Sequence, residues 1–392
     1  MKKHNEALPD KKHRGGKVRK YVLRALLLFF TLVLMLVIAL YAFASTVAHG
    51  PSEAVRNTLV LSAMQASATK WVPGLFLSQN EVDAILADSA EVMREVVSFE
   101  DYKNTYTDGS FSQGDKNDGT GATENADEWA DAVNGMKLTT FSANNFQAYV
   151  LLVRDPSRVY VATSSSFSDP EVPGKDVYAI AAQEGCVAAI NGGEFSDPGG
   201  VGDGNVPIGL TYSRGELVWN QSTQKSFIGL DKNNRLVVLE SITAARAREL
   251  GIRDGVCFQT TAAENVLITN DGVEVTIHRH DGDRARSQRT AVGQRADGTL
   301  IFLVTDGRTA SSPGATYNDV TDIMVRYGAV TAGMLDGGSS SMLYYEKFYE
   351  VYPDDYNYDE LDRFQKRGLV NRYKAFTLPR QLPTYFCIGK EG

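Results

Sequence analysis

The chain has 392 residues, 43% of them hydrophobic, and a formal charge of −8, enough for one large folded domain with an accessory segment. Residues 1–24 hold nine Lys/Arg against two Asp/Glu, which leaves −15 on the remainder. The folded part therefore lacks the basic surplus that a nucleic-acid partner requires. Cys186, Cys257 and Cys387 are an odd set without metal-ligand spacing, which argues against a disulfide framework and leaves open one bridge or three buried thiols.

The basic cytoplasmic tail, residues 1–24, runs into an apolar stretch from Ala25 to Ala44 broken only by Thr31 and Tyr41. About 20 apolar residues span a bilayer, and Lys2, Lys3, Lys11, Lys12, Arg14, Lys17, Arg19 and Lys20 would keep the N-terminus in the cytoplasm. A signal peptide cut near Ala42-Phe43-Ala44 is the rival, but the run exceeds the ~7–15 residues of such a segment. The expectation is an uncleaved transmembrane anchor with an extracytoplasmic body.

Residues 51–104 read as a helical membrane-proximal segment, with helix from Pro51 to Val97 interrupted near Pro73-Gly74. Ser78-x-x-Glu81 is a capping-box pattern, and Val82, Ile85, Leu86, Val92, Met93 and Val96 follow at roughly helical spacing. This segment is expected to cover an edge of the main domain. Residues 105–134, rich in Gly, Asp, Asn, Thr and Ser, read as a flexible linker.

From Gly135 onward, short β-rich runs dominate. They cover Phe146–Val153, Val159–Ala162, Cys186–Ile190, Ile228–Leu230, Leu236–Leu239, Val256–Phe258, Val266–Ile268, Val273–Ile277, Ala291–Gly293, Leu300–Thr305 and Val330–Leu335. Helices are expected at Val177–Glu184, Ala244–Leu250 and Tyr317–Tyr327. Hairpins outnumber βαβ units, so residues 135–392 are expected to form an α+β domain around a mixed, largely antiparallel sheet.

Three clusters of residues could carry chemistry. Asn191-Gly192-Gly193-Glu194 leaves an apolar strand at a glycine turn, where backbone N–H groups are free for a ligand oxygen or Asn191 bonds its own backbone. Arg289 and Arg308 suit bidentate capture of a phosphate or carboxylate, and Asp306 lies at a strand exit. Asp336-Gly337-Gly338 enters a turn of small residues, with hydroxyls from Ser339 to Ser341 that can donate to sugar or phosphate oxygens. For any one of these residues a structural pair or solvated turn is about as good a reading. His278-x-His280-Asp281-x-Asp283 offers two histidines to one strand face, so a divalent metal is possible but has no sequence support beyond proximity. No G-x-S-x-G elbow or G-x-x-x-x-G-K phosphate loop is present in the sequence.

Together, Asn191-Gly192-Gly193, Arg289-Thr290-Ala291-Val292-Gly293, Asp306-Gly307-Arg308 and Leu335-Asp336-Gly337-Gly338-x-Ser340 resemble the phosphodiester glycosidase family, whose bacterial members include exopolysaccharide biosynthesis proteins. The resemblance implies hydrolysis of a sugar-1-phosphodiester, giving a free sugar and a phosphomonoester, with no required cofactor. It implies substrate contacts from Asn191, Gly192, Gly193, Arg289, Arg308, Gly337, Gly338 and Ser340, and catalytic carboxylates at Asp336 and Asp306. Two positions depart from the family pattern: Glu194 stands where an aromatic is usual, and Ser339 where a third glycine is common. Glu194 adds a carboxylate that could act in catalysis, alter substrate choice or face solvent. The rival readings are a non-catalytic glycan-binding or assembly factor for exported polysaccharide, and a metal-dependent phosphodiesterase.

Overall fold

The computed structural model describes residues 12–64, 69–89, 92–106, 129–165, 167, 169, 171–197, 204–221, 225–258, 265–280, 285–309, 311–373 and 378–391. The body is α+β. Its largest sheet has eight strands in the order Val92–Ser98, Glu274–His280, Val266–Asn270, Ala329–Leu335, Thr290–Arg295, Leu300–Thr305, Gln147–Val153 and Met136–Ser142. Each neighbouring pair is antiparallel. Among the described residues three smaller antiparallel sheets accompany it, one of them only the two-stranded pair Phe195–Ser196 and Val206–Pro207. Another contains Ala188–Asn191 beside Thr384–Ile388, and the third is built around the hairpin Lys225–Asp231 and Leu236–Ile242.

The centre of the large sheet is buried on both faces. Along Leu300–Thr305, Leu300, Phe302 and Val304 point into a core shared with Ile190, Phe386, Ile228 and Val256 of the smaller sheets. Ile301 and Leu303 point the other way, against the helix Tyr317–Arg326. This two-sided burial explains why the strand is apolar throughout rather than alternating. The helix starts at a reciprocal cap, in which the Thr316 hydroxyl accepts from Asp319 N–H and the Asp319 carboxylate from Thr316 N–H. It buries Val320, Ile323 and Met324 at spacings of three and four.

The N-terminal helix runs from Lys12 to His49, and its portion Lys20–His49 is long and apolar enough to cross a membrane. Helices Glu53–Met64 and Gln79–Ser89 follow, and pack Val60, Leu61, Val82 and Ile85 against Ala48 and Ala285. Ser78 and Glu81 make the expected capping box. The helical pattern expected as far as Val97 gives way at Val92, because Val92–Ser98 pairs as an edge strand with Glu274–His280. Val92, Val96 and Val97 are β-branched, and an available sheet edge outweighs their weak helical spacing. Helix Phe99–Tyr106 then seals the sheet, with Tyr102 fully buried and its hydroxyl donating to the Ala329 carbonyl. The sheet body thus begins well before Gly135. Of the expected linker, residues 107–128 lie outside the described residues. All three cysteines are buried free thiols.

Candidate active site

Strand register brings the charged motifs to one end of the large sheet. Thr290 pairs with Val304 on one side and Leu335 on the other, so Arg289, Asp306 and Asp336 emerge from three adjacent strands. Asn191 arrives from the small sheet, where it pairs with Tyr385.

Asp336 is half-buried in this cluster. Burial pushes its pKa up to about 6, while the Ser340 hydroxyl, the Arg380 charge and the Gly337 N–H act in the opposite direction. Arg308 lies close enough for burial, Arg289 and Arg380 to lower its pKa and for Asp336 to raise it. Three guanidinium groups therefore share one neighbourhood with two aspartates, Asp336 and Asp197. Arg289 is buried, donating from Nε to the Ala315 carbonyl (3.1 Å) and from Nη2 to the Ala285 carbonyl (2.7 Å), and it stacks 4.2 Å above the Tyr317 ring. Arg380 pairs with Asp197 at 2.8 Å and reaches toward the Ser340 hydroxyl at 3.4 Å. Mutually repelling arginines held by the fold suit an anionic ligand.

Asp306 faces a different feature, a cleft of about 640 Å³ that it lines together with Tyr149, Gln288, Gly338, Ser339, Ser341, Arg372 and Tyr373. The Tyr149 hydroxyl donates to its Oδ2 at 2.9 Å. Its Oδ1 has no hydrogen-bond partner among the described residues. Burial pushes the Asp306 pKa up to about 6 against the opposing pull of Tyr149 and Arg372. A buried carboxylate at a cleft wall whose ionisation lies near neutrality suits acid–base work.

The glycine turn at Asn191 is closed by protein. Asn191 is fully buried, its Nδ2 donates to the Asp336 carbonyl at 2.6 Å, and its Oδ1 accepts from Thr290 Oγ1 and Met342 N–H. A Cβ on Gly192 would meet Thr384 Oγ1 at 2.4 Å, and one on Gly193 the Cys257 carbonyl at 2.3 Å. These glycines let the sheets approach each other. Gly337 has its hypothetical Cβ 3.0 Å from the Gln288 carbonyl. Glu194 is half-buried and tied through its backbone to Cys257 and Ile208. It is not among the residues lining the cleft.

His278 and His280 are buried, with His280 against Tyr317 and its pKa lowered to about 4 by burial and by Arg289. Among the described residues no His/Cys/Asp/Glu group is arranged to hold a metal ion, and Asp281 and Asp283 lie outside those residues. Sequence reading missed Arg380, Tyr149, Gln288 and Arg372. Tyr149 sits in an apolar strand and Arg380 in a segment without a motif, so neither carries a local signal.

A 53-residue stretch is 45% identical to the SPbeta prophage-derived uncharacterized protein YomE of Bacillus subtilis (strain 168), covering 14% of this chain and only 8% of that protein. The zebrafish N-acetylglucosamine-1-phosphodiester alpha-N-acetylglucosaminidase catalytic domain, solved auto-inhibited by its pro-peptide, is 19% identical with a TM-score of 0.49. That alignment covers 65% of this chain and 83% of the zebrafish one. A Burkholderia pseudomallei protein described as exported is 15% identical with a TM-score of 0.39, over 62% of this chain and 74% of that one. The phosphodiester glycosidase family matches residues 184–388, more than half of the chain and the stretch that contains every one of the motifs above. The chain belongs to the phosphodiester glycosidase family.

Proposed function

We propose that the chain is a membrane-anchored hydrolase that cleaves the glycosidic bond of a sugar-1-phosphodiester outside the cytoplasm. The products are a free sugar and a phosphomonoester, within the metabolism of a cell-envelope or exported polysaccharide. The observation that carries this reading is the division of labour at one sheet end. Arg308 and Arg380 act on Asp336, with Arg289 beside Arg308, and Asp306 lies at the wall of a cleft.

In this scheme the arginines take the departing phosphate, and their stabilisation grows as negative charge develops on its bridging oxygen. A phosphodiester is already a fair leaving group, so charge stabilisation matters more than strong protonation. Asp306 meets the oxocarbenium-like centre, either attacking the anomeric carbon or activating a water. Asp336, bonded by Ser340, holds the arginines in register. Asn191, Gly192 and Gly193 act by fixing that arrangement, Gly337 and Gly338 keep its turn compact, and Glu194 is assigned no step. The scheme uses no cofactor. The basic tail and the apolar helix Lys20–His49 support the anchor.

Purified full-length protein in detergent tests the reading on a panel of sugar-1-phosphodiesters. Stoichiometric release of reducing sugar and phosphomonoester is expected. Sugar binding without turnover of any member would overturn it in favour of a glycan-binding factor.

A further inference from the structure

In the link between helices Glu53–Met64 and Gln79–Ser89, Trp71 is 64% exposed and Leu75 52% exposed. They flank Val72-Pro73-Gly74, and Lys70 beside them is exposed as well. Single exposed apolar residues are ordinary on a protein surface. What sets this turn apart is where it sits. The Phe76 ring packs on the Tyr41 ring, with centroids 5.2 Å apart. Tyr41 belongs to the apolar helix and lies three residues inside the end of the run Ala25–Ala44, or about 4.5 Å along the helix. The turn is fastened at that level. Its short helical piece Pro73–Leu75 is closed by Phe76 N–H donating to the Pro73 carbonyl at 3.0 Å, and Leu77 is buried in one cluster with Ala48, Val60 and Val82.

A side chain exposed at the level of Tyr41 meets the boundary between acyl chains and headgroups. Tryptophan, apolar with one N–H, is favoured there, and lysine can keep its stem in lipid and its ammonium in water. We propose that the turn from Lys70 to Phe76 docks in the extracytoplasmic interface of the bilayer, with Trp71 and Leu75 in lipid and the Lys70 ammonium among headgroup phosphates. The inference rests on the transmembrane reading of the apolar helix and adds a second lipid contact to it. The same cluster includes Ala285, whose carbonyl accepts from Arg289 Nη2 at 2.7 Å. The docked turn therefore holds the arginine-bearing end of the sheet close to the membrane surface.

The test reconstitutes the full-length protein into phosphatidylcholine vesicles, with or without acyl chains brominated near the headgroup, and checks insertion by flotation. Bromolipid should quench part of the tryptophan emission. Trp71→Phe should abolish that quenched part, because Trp129 packs on Arg154 and Trp219 on Phe167 in the body. In Leu75→Cys, a polarity-sensitive maleimide labels position 75 selectively, since the native thiols are buried. Its emission should lie to the blue of the dye in water and resist aqueous iodide. Vesicle-bound protein whose Trp71 emission ignores bromolipid and whose label at position 75 is quenched by iodide overturns the proposal and leaves the anchor standing. A label shielded from iodide without any bromolipid quenching assigns the turn to a protein contact and also overturns it. Protein that does not float with the vesicles overturns the transmembrane reading and the proposal with it.

Discussion

Asn191 and Asp336 stand 145 residues apart in sequence, yet Asn191 Nδ2 donates to the Asp336 main-chain carbonyl across 2.6 Å. The same amide accepts from Thr290 and Met342, so it joins the small sheet to the end of the large one. Asn191→Ala would orphan the Met342 N–H and the Asp336 carbonyl in a buried site, at about 1–3 kcal/mol each. The expected outcome is a loss of about 2–5 kcal/mol in denaturant unfolding. Unchanged stability with a selective loss of substrate affinity would return Asn191 to direct binding.

Arg308 and Gly338 both occupy left-handed backbone, at φ +58° and +61°. A Cβ at position 338 would lie 3.3 Å from Arg308 Nη1, so the guanidinium rests over the glycine. Left-handed backbone costs a residue other than glycine roughly 1–2 kcal/mol, and at Arg308 that strain aims a cation at the Asp336 cluster. Arg308→Gly should raise stability by about 1 kcal/mol while lowering kcat/KM by about 10²-fold or more. Activity retained in Arg308→Gly would remove the arginine from phosphate capture. Gly338→Ala should lose both stability and activity.

Asp306 should govern the acid limb of activity. Its pKa is raised to about 6 by burial, and the Tyr149 hydroxyl opposes that rise by bonding the charged form. If the ionised form is the working one, kcat/KM climbs as pH rises through about 6 and then levels. Tyr149→Phe removes the opposing donor and should move the limb to higher pH. The same shift has a stability sign. The folded state holds the proton more tightly than the unfolded chain, so stability falls as pH rises from the ordinary 3.8 through about 6. A limb unmoved by Tyr149→Phe would detach Asp306 from the profile.

Asp336→Asn should abolish turnover while the far-UV spectrum stays native, because Arg308 and Arg380 lose the negative charge that Asp336 places beside them. Full activity in this variant would end the assignment.

The proposed anchor predicts that the whole chain fractionates with membranes and that external protease on intact cells digests the body while sparing the basic tail. Release of a mature form beginning just after Ala44 would show that the segment is a cleaved leader.

Much of the sheet was legible because each strand is a local apolar run. Leu300–Thr305 and Ala329–Leu335 end at Asp306 and Asp336 as their spacing implied. The cap at Ser78 and Glu81 was legible for the same reason, being set within four residues. Val92–Ser98 was misread because its partner, Glu274–His280, lies far away in sequence. Arg380 was missed for a related cause, since only the return of the C-terminal segment places it beside Ser340 and Asp197. Gly192 and Gly193 were expected to let a ligand approach, whereas it is protein that approaches them. A glycine reports close approach, not what approaches.

The most direct test of the central claim is hydrolysis of a sugar-1-phosphodiester by the full-length protein in ¹⁸O-labelled water, read in the phosphomonoester by mass spectrometry. Attack at the anomeric carbon leaves the phosphomonoester unlabelled, and that is the predicted result. Label in the phosphomonoester would place the break at phosphorus and contradict the glycosidase account.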